Sequence, residues 1–252
     1  MNPFGYLRPG TLAQASALLA EHPQANVLAG GQSLLAAMKL GLCAPSHLID
    51  LQDVPGLADV SVTGNRLWIG AMVTHAQVAS SAVVRSFAPM LAALAGGIAD
   101  PQVRQVGTLG GSLANNDPAA CWSAGVMAMG ATVVTHLREI HADDYFQGLF
   151  TTALRPGELI VGARFAQPQA AHYRKHEQPA SRFAMVGVAV ARLAGADQSK
   201  SVRVAITGLG NGVLRWHAAE QALTARWHVA ALESLAFPPA DAMGDVHASA
   251  EY

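Results

Sequence analysis

Two glycine-rich turns constrain this chain more than any other feature: Leu28-Ala29-Gly30-Gly31-Gln32-Ser33-Leu34 and Gly107-Thr108-Leu109-Gly110-Gly111-Ser112-Leu113-Ala114-Asn115-Asn116-Asp117. The first leaves an apolar stretch, Asn26-Val27-Leu28-Ala29, and enters a helical pattern over 34–40, so it reads as strand, turn, helix. Glycine removes the Cβ that would hold a ligand away from the backbone, and a helix start offers unpaired N–H groups. A pyrophosphate needs several such donors converging on it. Either turn alone is an ordinary turn signal; two in one chain, each ahead of a helix, favour a phosphate-binding groove. With 13% charged residues, backbone dipoles rather than Lys and Arg would neutralise the phosphates there.

The surrounding pattern is a mixture of helices and strands. Thr11 and Gln14 have capping-box spacing ahead of a helix over 11–21, and Thr74 and Gln77 repeat it. Pro45 closes the first helical region, and strands are expected over 47–51, 66–70, 131–136, 158–165, 183–192 and 202–207, the last two as a pair. Helices are expected over 89–95, from Pro118, and from Ala218 onward. The stretch 98–117 reads as a long functional loop, and 167–180 as a polar segment carrying a boundary near 167–175.

Several classes of function are excluded. Sixteen basic residues against seventeen acidic ones give a formal charge of −1, too weak a field to draw in nucleic acid. Two cysteines, Cys43 and Cys121, are too few to ligate an iron–sulfur cluster within the chain or to build a disulfide framework. No run reaches the roughly 18–20 apolar residues that span a bilayer, and the start of the chain has no signal-peptide pattern, so a cytoplasmic location is expected. Gly208-Leu209-Gly210-Asn211-Gly212 fails as a dinucleotide fingerprint because Val213 stands where the third glycine belongs. The histidines are scattered singly, and no metal site is expected.

Taken in order along the chain, the motifs resemble the FAD-binding (medium) subunits of carbon monoxide dehydrogenase-like and xanthine dehydrogenase-like molybdenum hydroxylases. The matching blocks are Ala29-Gly30-Gly31-Gln32-Ser33-Leu34-Leu35 with Met38-Lys39-Leu40, residues 45–51, Ile69-Gly70-Ala71-Met72 and Thr74-His75. Further along they are Ile98-Ala99-Asp100-Pro101-Gln102-Val103-Arg104, residues 107–117, Gly148-Leu149-Phe150-Thr151-Thr152, Pro179-Ala180-Ser181-Arg182-Phe183-Ala184 and His247-Ala248-Ser249-Ala250-Glu251-Tyr252. The resemblance implies an α+β chain built of α/β units in the vanillyl-alcohol-oxidase-type (PCMH-type) fold. On that reading residues 1–170 bind FAD as two subdomains, about 1–55 and 56–170, and 171–252 form a small C-terminal α/β domain, shortened relative to the family.

Carried over residue by residue, the resemblance places Ala29, Gly30, Gly31, Gln32, Ser33, Leu34, Gly107, Thr108, Gly110 and Gly111 around the FAD pyrophosphate. Ser112, Asn115 and Asp117 would line the same groove, Ala99 and Val103 would pack on the flavin, Ile160 would add an apolar or backbone contact, and Lys175 would lie near the ring. Asp117 before Pro118 also fits a helix N-cap with proline at the first helical position. An aspartate that contacts the flavin in xanthine oxidoreductases aligns with Cys121, which otherwise reads as a buried, inert thiol inside an apolar helix. The resemblance further implies an electron-transfer subunit with no catalytic acid, base or nucleophile of its own. It implies two partners, a small subunit with two-iron two-sulfur clusters and a large subunit with the molybdenum cofactor. The competing readings are a stand-alone flavin oxidoreductase of the same fold and a scaffold that has lost FAD.

Overall fold

The computed structural model describes residues 1–194, 200–237, 242, 244 and 249. The first fifty residues alternate strand and helix: β1 (Gly5–Leu7), α1 (Leu12–Glu21), β2 (Asn26–Leu28), α2 (Leu34–Lys39) and β3 (His47–Asp50). Short helices between strands allow crossover connections, and the three strands form a parallel sheet in the order β1-β3-β2. Thr11 caps α1 by accepting from the Gln14 N–H, but the reciprocal half of the expected capping box is displaced: the Gln14 side chain accepts from Gly10 instead. Ala15 on α1 packs with Ile49, Leu51, Val54 and Leu57 into a small core under this sheet.

A larger unit follows, with β4 (Val60–Thr63), β5 (Arg66–Gly70), α3 (His75–Ser80), α4 (Ala82–Phe87), α5 (Pro89–Gly96), α6 (Pro101–Val106), α7 (Leu109–Asn115) and α8 (Cys121–Ala128). It continues through β6 (Thr132–Thr135), β7 (Glu139–His141), α9 (Ala142–Tyr145), β8 (Phe146–Gly148), β9 (Thr151–Thr152) and β10 (Ile160–Ala166). The five-stranded sheet runs β4-β5-β10-β6-β7, with β10 antiparallel to both β5 and β6. Every residue of α8 is buried, which explains its small, apolar composition: the helix has no solvent face to pattern.

The chain then turns into β11 (Pro168–Glu177), β12 (Ala184–Ala194), β13 (Lys200–Thr207) and β14 (Leu214–Arg215), an antiparallel sheet closed by α10 (His217–Ala225) and a short 3-10 turn, Val229–Leu232. Ala189, Ala191 and Ala205 join the same core as α8 and the five-stranded sheet, so the last two sheets share one apolar layer.

Four expectations are corrected. The stretch 98–117 is not one long loop but holds α6 and α7. The polar segment 167–180 is mostly the ten-residue strand β11, an edge strand whose ladder with β12 outweighs its polar composition. The helix expected from Pro118 begins at Cys121 with Ala120 as its N-cap. Asp117 accepts from the Ala119 N–H and caps a turn instead of a helix. Helix from Ala218 ends at Ala225, and all of the final 247–252 block except Ser249 lies outside the described residues.

Candidate functional site

The sheets meet around one cavity of about 760 Å³, within the roughly 300–1,000 Å³ typical of small-molecule sites. Its walls include Ala29, Gly30, Gly31, Gln32, Ser33, Leu34, Ala99, Val103, Gly107, Thr108, Gly110, Gly111, Ser112, Asn115, Asp117 and Ile160. Residues far apart in sequence are thus brought to one surface. Lys175 is not among the walls: its Nζ donates to Gly97 O and Arg182 O, tying the turn after α5 to the β11–β12 connection from behind. Wall residues that sequence reasoning gave no role include His75, Glu158, Arg182 and Phe183. His75, Arg182 and Phe183 lie in blocks that matched the family pattern and Glu158 does not, and nothing local pointed any of them inward.

The two glycine turns do different things. In the first, the N–H groups of Gly30, Gly31, Gln32 and Ser33 donate to no backbone acceptor outside regular elements, and no side chain takes them among the described residues. Gly31 is left-handed (φ 70°). A Cβ on Gly30 would stand 2.0 Å from Val106 O and 2.8 Å from the Gly107 Cα, so the first turn packs backbone to backbone on the second.

In the second turn the expected free donors are mostly spent. Gly107 donates to Val103 O, Leu109 to Val73 O, Gly110 to Ala71 O, Gly111 to Thr108 Oγ1 and Ser112 to Thr108 O. Of 107–112, only the Thr108 N–H has no acceptor among the described residues. An isolated antiparallel bridge, Thr74 to Thr108, latches α7 to the start of α3. Gly110 is glycine because its missing Cβ would lie 2.6 Å from Ala71 Cβ. The second turn supplies shape, and the first supplies donors.

The carboxylates on the wall are committed to structure. Asp100 caps α6 through the Val103 N–H at 2.8 Å. Glu158 accepts from Arg138 Nε at 3.0 Å, Thr135 Oγ1 at 2.7 Å and the Arg155 N–H at 2.8 Å. Burial opposes its ionisation, yet these donors outweigh it and hold the carboxyl at about 2. Arg182 is the one cation on the described wall, and it carries a positive φ of 58°. Ala99 is likewise left-handed (φ 43°), its conformation pinned by Arg104 Nη1, which donates to Ile98 O and Ala99 O at 2.8 and 2.7 Å.

His75 and Cys121 also reach the cavity. Trp122 Nε1, fully buried, donates to His75 Nδ1 at 3.1 Å. Burial and then the Arg104 guanidinium pull the His75 pKa down to about 4, so the ring is neutral at physiological pH. Cys121 opens α8 instead of sitting within it. Burial pushes its thiol upward, opposed by Lys175, so the cysteine has a basic neighbour that its sequence surroundings did not reveal and is nonetheless a thiol.

Comparison with known proteins agrees with this geometry. Residues 2–166 match the family described as FAD binding domain in molybdopterin dehydrogenase. The nicotine 6-hydroxylase medium subunit of Paenarthrobacter nicotinovorans is 34% identical across 98% of this chain and 90% of its own length. The carbon monoxide dehydrogenase medium chain of Afipia carboxidovorans is 34% identical across 82% of this chain and 75% of its own. Among solved structures, a chain of the Hydrogenophaga pseudoflava carbon monoxide dehydrogenase lacking the Mo-pyranopterin moiety superposes with a TM-score of 0.90 at 33% identity, covering 100% of this chain and 93% of that one. With a donor-bearing glycine turn facing a nucleotide-sized cavity and similarity along its whole length, the chain belongs to the FAD-binding medium-subunit family of the molybdenum-containing dehydrogenases and hydroxylases.

Proposed function

We propose that the cavity is the FAD site and that the N–H groups of Gly30, Gly31, Gln32 and Ser33 hold the pyrophosphate, with the Thr108 N–H and the hydroxyls of Ser33 and Ser112 beside them. The single observation that carries this is the row of unspent donors on a wall where Gly30 and Gly110 admit no Cβ. Ala29, Leu34, Gly107, Gly110 and Gly111 shape that end. Ala99, Val103 and Ile160 offer apolar and backbone surface, and Asn115 and Asp117 line the groove between. Lys175 acts from behind by fixing Gly97 and Arg182. The fold reads as the PCMH type, with 1–170 as the FAD-binding domain, divided near residue 55, and 171–252 as the C-terminal domain.

The chain is the FAD-binding subunit of a heteromeric oxidoreductase complex. When bound, FAD supplies the capacity to take up electrons singly and release them in pairs. The protein's part is to bind and orient it. The first turn neutralises phosphate with dipoles, and the apolar wall excludes water. The carboxylates Asp100 and Glu158 are kept out of the chemistry by their own partners. The partners that fit this role are a small subunit carrying two-iron two-sulfur clusters and a large subunit carrying the molybdenum cofactor, where the organic substrate would react. Among the described residues no helix is long and apolar enough to cross a membrane.

Titration of the flavin-free chain with FAD, followed by absorbance and equilibrium dialysis, tests the reading. One FAD per chain, with ADP competing, is the expected outcome. A chain that remains colourless at saturating FAD would overturn it and favour the scaffold reading.

A further inference from the structure

His75 occupies an unusual position on the cavity wall. It follows the N-cap Thr74 of α3, whose reciprocal capping box fixes the backbone, and its own N–H donates to Gly107 O at 2.8 Å. His75 is 5% exposed. One ring nitrogen is committed: indole Nε1 can only donate, so the bond from Trp122 requires His75 Nδ1 to be the acceptor. The neutral ring then carries its proton on Nε2. That N–H has no acceptor among the described residues, and Nε2 keeps access to the cavity. Nε2 lies against the open face of Gly107, where a Cβ would stand at 2.9 Å. Gly107 in turn is the backbone on which Gly30 packs. Nε2 therefore sits where the two glycine turns meet, on the wall that also presents the unspent N–H groups of the first turn.

We infer that His75 is a ligand-contacting residue of this cavity: a neutral hydrogen-bond donor from Nε2 to a phosphate oxygen of the dinucleotide, with Trp122 as the positioning residue that fixes its tautomer. The inference rests on the FAD reading above. A neutral donor suits this place because the site handles phosphate charge with dipoles. A protonated ring would have to form beside Arg104 in a buried setting, which the site disfavours. Donors to a charged oxygen are the stronger class of hydrogen bond, so the contact is large enough to measure. Trp122→Phe would free Nδ1 to carry the proton, leaving Nε2 an acceptor that repels the phosphate for part of the time.

The test uses the full chain freed of flavin, with FAD, ADP and riboflavin as separate probes. His75→Phe keeps the ring shape without the donor and is expected to weaken FAD and ADP binding by the same factor, about tenfold or more, while riboflavin binding stays unchanged. His75→Gln, which can place an amide N–H near the Nε2 position, is expected to recover most of that loss. In ¹⁵N-histidine-labelled protein, NMR should find Nε2 protonated and Nδ1 unprotonated, with the Nε2 resonance moving on addition of ADP; Trp122→Phe should mix the tautomers. Should His75→Phe fail to fold, the labelled wild type and His75→Gln still decide. Wild type that binds FAD while His75→Phe alters its affinity less than threefold, or an Nε2 resonance unmoved by ADP, overturns the inference and leaves the FAD reading intact. Equal weakening of riboflavin would place the contact on the ring side and also refute it. A wild type that binds no FAD defeats the parent reading instead.

Discussion

Lowering the pH from 7.5 to 5 isolates the energetic cost of burying His75. Its ordinary pKa of 6.5 falls to about 4 in the folded chain, through burial first and Arg104 second. The unfolded chain therefore takes up this proton before the folded one does. Stability held above pH 6.5 is lost as the pH falls from 6.5 toward 4. Linkage applied to these two values gives about 2 kcal/mol lost by pH 5 and under about 0.1 at pH 7.5. The lowered carboxyl of Glu158, with an ordinary value of 4.5, responds mostly below this window and adds only about 0.2 kcal/mol at pH 5. Against a typical total of about 5–15 kcal/mol the His75 effect is readily measured. The assay is urea unfolding of the flavin-free chain at both pH values, for wild type and His75→Gln. Wild type should lose about 2 kcal/mol more than the variant between the two pH values. The reasoning is refuted if the two proteins lose the same amount within about 0.5 kcal/mol, since the pH response would then arise elsewhere.

Three further outcomes follow from the packing. Gly30→Ala drives a Cβ toward Val106 O and the Gly107 Cα; it should cost roughly 1–3 kcal/mol and abolish stoichiometric FAD binding, read from thermal unfolding and the flavin-to-protein ratio. Asn116→Ala removes the Nδ2 donor to Gly148 O and Thr151 O at a buried left-handed position, and should cost about 2–3 kcal/mol with faster hydrogen exchange confined to residues 148–151. Arg138→Met leaves the Glu158 carboxylate buried without its main counter-charge and should destabilise by about 3 kcal/mol at pH 7. That penalty should shrink as the pH falls from 4.5 toward 2 and Glu158 protonates, which chemical denaturation across acid pH would detect.

Much of this protein is legible from residue order because the signals are local. Thr11, Thr74 and Thr108 each cap the helix that follows through a bond spanning three residues, so a short window contains both partners. The strands at 47–50, 66–70 and 184–194 declare themselves by apolar runs or alternation, and the order of the glycine turns along the chain carries the family resemblance. What the sequence leaves open is decided by partners distant in the chain. Whether a glycine turn offers free donors depends on which carbonyls reach it: those of Ala71 and Val73 consume the N–H groups of Gly110 and Leu109, whereas none reaches the first turn among the described residues. The strand β11 exists because β12 presents a ladder to it, and polar composition alone concealed it. Asp117 ahead of Pro118 fits a helix N-cap by local spacing, and the fold makes it the cap of a turn instead because α8 starts only at Cys121. His75 is one unremarkable histidine in the sequence; a neutral, oriented donor emerges only where Trp122, Arg104 and Gly107 converge on it, since burial and a second hydrogen-bond partner are properties of the packed chain.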